Sequence, residues 1–160
     1  MPKLQINGYT LIELLVAMSI MAILFTLGYA SFRDYSRRQV LTSYVQKVKG
    51  DLSLAREKAI SGQKPDGVEC DSPEILSGYN FRVISNESYV IEAVCSNGTK
   101  QIKTPVLVEE GLSLNIPANP IFFKVLSKGT NLSSDSEIII SQESTGYTSS
   151  LFITQSGEIK

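Results

Sequence analysis

Residues 8–32 read GYTLIELLVAMSIMAILFTLGYASF, and the nineteen residues from Leu14 to Phe32 carry neither charge nor proline. At about 1.5 Å per residue such a run covers about 30 Å, the thickness of a bilayer's hydrocarbon core. A membrane-spanning helix is the direct reading. Glu13 stands at the start of the run, where a carboxylate costs about 3 kcal/mol on insertion scales and marks a functional candidate. A helix dipole that favours an acid in its first turn is the plainer explanation of the same residue. An ordinary secretory signal competes with the spanning helix. Lys3 would supply its basic flank and Gly28-Tyr29-Ala30 its small-x-small cleavage site. The length of the run and the presence of Glu13 speak against it. The short polar leader, Met1 to Gly8, precedes the apolar segment, so its removal would leave the helix in place.

Beyond Phe32 the helical pattern continues in another form. Leu41, Val45, Val48, Leu52, Ala55 and Ala59 recur at spacings of three and four, one apolar stripe on an amphipathic helix. Arg37, Arg38, Lys47, Lys49, Asp51, Arg56, Glu57 and Lys58 fall on the other faces. Ser61-Gly62 supplies a stop, with glycine in the position after the last turn and Pro65 soon after. One helix from Tyr9 to Ser61 is predicted, uninterrupted at Gly28, the weakest helix former of its apolar half. A short coiled coil would account for the stripe as well. A helix covering a sheet accounts for it better, because apolar strands follow and need a cover.

Those strands begin near residue 75. Tyr79, Phe81 and Val83 alternate with polar residues, and so do Tyr89, Ile91, Ala93 and Cys95. Ser85-Asn86-Glu87 and Ser96-Asn97-Gly98 mark turns between them, the second an Asn-Gly hairpin signal. Thr99–Val108, Leu112–Ile116, Ile121–Leu126, Glu137–Ser141 and Ser150–Thr154 complete about seven strands, with Pro105, Pro117 and Pro120 at ends or edges. The fold class expected is α+β, a long N-terminal helix packed on an antiparallel β head. Its segments are a leader (1–8), a membrane-spanning helix half (9–32), an amphipathic half (33–61) and a β-rich head (62–160).

The 160 residues carry a net charge of −1, unevenly spread. Residues 1–61 hold eight Lys/Arg and four Asp/Glu, and residues 62–160 hold seven and twelve. The acidic head is a poor match for a nucleic-acid surface. There is no histidine. That removes His-based acid–base chemistry, Ser-His and Cys-His nucleophiles and His metal ligands. No spacing of carboxylates favours catalysis without histidine, so no enzyme, catalytic residue, cofactor or metal is expected. Cys70 and Cys95 are too few for an all-cysteine zinc site. In an oxidising compartment they would close a loop worth roughly 3 kcal/mol; the alternative is a pair of buried thiols.

The string Gly8-Tyr9-Thr10-Leu11-Ile12-Glu13, running straight into the apolar segment, resembles the processing site of type IV prepilins and type II secretion pseudopilins. The resemblance implies cleavage between Gly8 and Tyr9 by a prepilin peptidase, which then N-methylates Tyr9. Tyr9 departs from the usual Phe but keeps an aromatic ring. The resemblance also implies that Glu13 serves assembly, by meeting the amine of a neighbouring subunit. The implied partners are other pilin or pseudopilin subunits, the peptidase/methyltransferase, an inner-membrane assembly platform and the lipid bilayer. The implied location is the inner membrane, as a single-pass protein with an extracytoplasmic head, and then the filament. Arg33, Arg37 and Arg38 beyond the span would by themselves place the head inside, but the motif is the more specific signal. The strand spacing from Ile121 onward and the closing Ser156-Gly157-Glu158-Ile159 resemble, more loosely, the heads of H-type minor pseudopilins and minor pilins. The function expected is therefore that of a non-catalytic filament subunit of a type IV pilus or type II secretion system. The alternative is a pilus-tip subunit for adhesion or DNA uptake. Some minor pilins in this group bind DNA through an arginine-bearing loop between the last two strands. Here that stretch, Gln142 to Thr148, has no arginine, so nucleic acid is an unlikely partner.

Overall fold

The structure, a computed structural model, describes residues 10–66, 70, 72–118, 120–126 and 129–160. One helix, α1, runs from Leu11 to Ser61 without a break. It stops where the sequence provides a stop. Gly62 takes φ +62°, its N–H reaches back to the Ala59 carbonyl (3.2 Å), and the Ser61 hydroxyl donates to Lys58 O (3.1 Å). Together they satisfy carbonyls that the last turn leaves without intrahelical donors.

Seven strands follow: β1 (Leu76–Ser85), β2 (Ser88–Cys95), β3 (Gly98–Leu107), β4 (Leu112–Asn115), β5 (Ile121–Lys124), β6 (Ser136–Gln142) and β7 (Thr148–Ile153). All seven lie where the alternation predicts them. They form two antiparallel sheets, ordered β3-β2-β1-β5 and β4-β6-β7. Pro105 falls on β3, an edge strand, where a missing N–H costs no ladder bond. The β1–β5 pairing brings backbone and rings so close at Gly78 that a Cβ there would lie 2.2 Å from Phe123 O and 2.6 Å from the Phe122 ring. Only glycine fits that site.

By compactness the chain divides into residues 1–39 and 40–160. The second unit holds the core. The stripe Leu41, Val45, Val48, Leu52, Ala55 and Ala59, joined by Tyr44, is buried in one cluster with Tyr79 and Phe81 of β1, Tyr89 and Ile91 of β2, Leu114 of β4, Ile138 and Ile140 of β6 and Ile153 of β7. Both sheets thus share their core with the same face of α1. Burial of each Val, Leu, Ile or Phe among them contributes roughly 1.5–3 kcal/mol. Phe81 and Tyr89 stack across β1 and β2 with centroids 4.8 Å apart, an aromatic cross-strand contact that adds to the area buried.

One side chain expected on the solvent faces of α1 lies inside. Asp51 is buried, accepts from the Tyr89 hydroxyl (2.6 Å), and pairs with Lys103 Nζ of β3 (2.7 and 3.0 Å). At about 100° per residue Asp51 lies about 60° from Val48, at the rim of the apolar stripe. Its partners on β2 and β3 make the burial tolerable, because a buried charge requires a counter-charge and hydrogen bonds.

Candidate processing and assembly site

The first turn of α1 is closed by reciprocal hydrogen bonds between Thr10 and Glu13. Glu13 Oε2 accepts from the Thr10 backbone N–H (3.0 Å) and from the Thr10 hydroxyl (3.0 Å). Thr10 Oγ1 in turn accepts from the Glu13 N–H (3.3 Å). This is a capping box, the Thr-x-x-Glu arrangement that satisfies two otherwise orphaned donors at a helix start. It fixes the beginning of regular helix at Leu11 and leaves Thr10 outside it as the N-cap. The spacing Thr10-Leu11-Ile12-Glu13 is legible in the sequence. Treating Glu13 as a dipole partner or a filament contact passed over its nearest neighbour. Gly8 and Tyr9 lie outside the described residues.

From this cap onward α1 presents apolar side chains to its surroundings. Leu11, Ile12, Leu14, Leu15, Val16, Met18, Ile20, Met21, Ile23, Leu24, Phe25 and Phe32 are all exposed. The helix is long and apolar enough to cross a membrane by length and composition, and none of its most apolar window is buried. Exposed apolar surface on this scale marks a membrane or protein contact. Backbone groups within such a contact must be satisfied internally, and a continuous helix does so. Ser19 and Thr26 fold their hydroxyls back onto the carbonyls of Leu15 and Ile23 (2.9 and 2.8 Å). These two hydroxyls are therefore satisfied within the helix.

Cys70 and Cys95 are joined in a disulfide, with Cα atoms 5.4 Å apart. The bond ties the segment after α1 to the end of β2. Around it, Ser96 N–H donates to Ile75 O (3.0 Å), Ile75 N–H to Ser96 Oγ (3.0 Å), and the Ser96 hydroxyl to the Glu74 carboxylate. The Tyr79 hydroxyl, donating to Gln63 O, holds the start of the same segment.

Arg82 grips the buried Glu92 through Nη2–Oε1 (2.7 Å) and Nε–Oε2 (3.2 Å) across β1 and β2. That carboxylate raises the Arg82 pKa. Desolvation first, and then the hydrogen bond to Asp51, push the Tyr89 hydroxyl far above its ordinary range. Burial, with the negative fields of Glu109 and Asp51, raises the Tyr44 hydroxyl as well. The β6–β7 turn is closed by its own backbone, Gly146 N–H to Gln142 O (2.8 Å) and Gln142 N–H to Tyr147 O (2.8 Å). No lysine or arginine lies between Gln142 and Thr148. Among the described residues no group of three or more His, Cys, Asp or Glu is placed to hold a metal ion.

Residues 4–29 match the family model of the prokaryotic N-terminal methylation motif. The match takes in residues 4–8 of the polar N-terminal segment, the capping box and most of the exposed apolar run, and it supports the type IV pilin and pseudopilin family. No curated protein and no solved structure gives a match to the chain.

Proposed function

We propose that the chain is a non-catalytic filament subunit, a minor pilin or pseudopilin of a type IV pilus or type II secretion system. A prepilin peptidase cuts it between Gly8 and Tyr9 and methylates the new amine. The processed chain is then stored as a single-pass inner-membrane protein with residues 62–160 outside, until an assembly platform draws it into the filament. One observation carries this reading: the methylation motif over residues 4–29 coincides with a helix half whose apolar surface is bare. Such a surface needs lipid or other apolar helices around it. A subunit that moves from bilayer to filament has each in turn.

Glu13 is the assembly residue in this reading. In the single subunit its carboxylate is held by Thr10, which lowers the cost of keeping it among apolar residues. In the filament the methylated Tyr9 amine of a neighbour supplies the counter-charge that the apolar surroundings lack. The H-type resemblance of the head favours a minor over a major subunit. The tip-adhesion and DNA-uptake alternative draws no support from the β6–β7 turn, which offers no cation to a phosphate.

N-terminal mass analysis of the mature protein tests the reading. The expected first residue is methylated Tyr9, and Gly8→Leu should leave only precursor in cells that hold the peptidase. A mature chain beginning at Ser31 would reveal an ordinary secretory signal and sink the proposal. Glu13→Ala should give a processed, membrane-embedded subunit that enters filaments poorly. Filament-to-membrane ratios in sheared cells equal to those of the parent would remove the role assigned to Glu13.

A further inference from the structure

Immediately beyond the apolar run, α1 carries Arg33, Arg37 and Arg38 with one acid, Asp34, among them. Arg38 is engaged by Asp34, Nη2 to Oδ2 3.8 Å. Among the described residues Arg33 and Arg37 form no ion pair with a carboxylate. They stand one turn apart, about 6 Å along the helix axis, and continue the slanting i, i+4 row that begins with Phe25 and Tyr29. Phe25 and Tyr29 are 76% and 59% exposed. Along this row the order is apolar, aromatic, arginine, which is the order of hydrocarbon, interface and headgroup in a bilayer.

We propose that Arg33 and Arg37 form a binding site for one anionic phospholipid. The phosphodiester sits between the two guanidiniums, and an acyl chain lies along Tyr29 and Phe25. Guanidinium matches a phosphate with two parallel N–H donors, and two of them one turn apart bracket a single phosphate. The proposal rests on the reading that the apolar half of α1 lies in a bilayer. It also gives the arginines beyond the span a reason to be there, against the usual charge bias of membrane proteins. The site would set the depth of the stored subunit, and the contact is surrendered when the filament draws the helix out.

The test uses the full processed chain reconstituted in vesicles of phosphatidylcholine with phosphatidylglycerol. Carbonate extraction first reports whether the chain is embedded; a chain that washes off overturns the membrane reading and this site with it. For an embedded chain, native mass spectrometry after mild detergent release counts the retained lipids. Phosphatidylglycerol should be retained in preference to phosphatidylcholine. The double variant Arg33→Gln, Arg37→Gln should lose about 25-fold of that preference, at about fivefold per arginine. Arg38→Gln should change it little, and the double Lys variant should keep part of it. Equal retention of the two lipids by the embedded parent, or unchanged retention by the double Gln variant, overturns the site. Displacement of the lipid by millimolar inorganic phosphate would show a soluble-anion site instead. A double variant that keeps its lipid but enters filaments poorly would assign the arginines to a contact between subunits.

Discussion

Between Thr10 and Arg38 every described side chain of α1 is exposed, apart from the partly covered Arg37, whereas from Leu41 to Ala59 eight side chains are buried. The backbone conformation is the same in both stretches. What differs is the source of stability. The C-terminal stretch is held by packing, with its stripe inside a core shared by two sheets. The N-terminal stretch is held by its own hydrogen bonds and its Thr10–Glu13 cap, and its apolar surface awaits an environment. A helix can therefore be specified twice by one period of about 3.6 residues and serve two unrelated ends. The side chains between the repeating positions decide which: charged in one half, apolar in the other.

The contrast breaks most easily at Leu52, fully buried, against Leu24, exposed. Leu52→Ala should cost the head roughly 2–5 kcal/mol, the usual range for a buried leucine. Leu24→Ala should leave it unchanged. Denaturant unfolding of the full chain in detergent, followed by near-UV circular dichroism, reads both. Equal losses would mean that the two halves of α1 form one cooperative core.

The disulfide comes next. Its loop of 25 residues contributes about 3 kcal/mol in the chain-entropy model. Cys70→Ser, Cys95→Ser should lower the head's midpoint accordingly and leave helical content from Leu11 to Phe32 untouched. Intact mass with and without reductant verifies the bond in protein taken from its native compartment.

The head should also be sensitive to alkali where the apolar half of α1 is not. The Tyr89 and Tyr44 hydroxyls are held neutral by burial, with folded pKa values raised above the unfolded value near 10. Their contribution is complete below the unfolded pKa and is lost as pH rises through and beyond it, because the folded state holds protons that the unfolded chain has released. Stability measured from pH 8 to 11 should fall, and Tyr89→Phe should flatten the slope. At neutral pH Tyr89→Phe removes the bond to Asp51 and should cost about 2 kcal/mol. Tyr44→Phe removes a fully buried hydroxyl that has no hydrogen-bond partner among the described residues, so it should be neutral or stabilise by about 1 kcal/mol. A large loss at Tyr44 would reveal a partner for that oxygen.

The smallest effect is expected at the cap. Thr10→Ala should cost the first turn about 1 kcal/mol and leave the head's unfolding unchanged. Faster amide exchange confined to Leu11–Glu13 is the signature.

The helix stop at Ser61-Gly62, the seven strands and the turns at Asn86-Glu87 and Ser96-Asn97 were legible in the sequence. Each is set by local chemistry: alternation, a positive-φ glycine, an Asn-Gly pair. The division of the strands into two sheets was not legible, because alternation tells which face of a strand is apolar and not which strand lies beside it. The need for glycine at Gly78 arises only once β5 is placed against it. Asp51 reads as a solvent-facing charge until β2 and β3 bring Tyr89 and Lys103 to it.

The sequence by itself determined the apolar run after Glu13, the Thr-x-x-Glu box, the methylation motif and the order of helix and strands, all of them properties of neighbours along the chain. Only the tertiary structure decided that both sheets share the face of α1 between Leu41 and Ala59, that Cys70 meets Cys95, and that Asp51 is paired inside. These depend on contacts between residues far apart in sequence. The energy of such a contact exists only once the chain has closed the loop that brings its partners together.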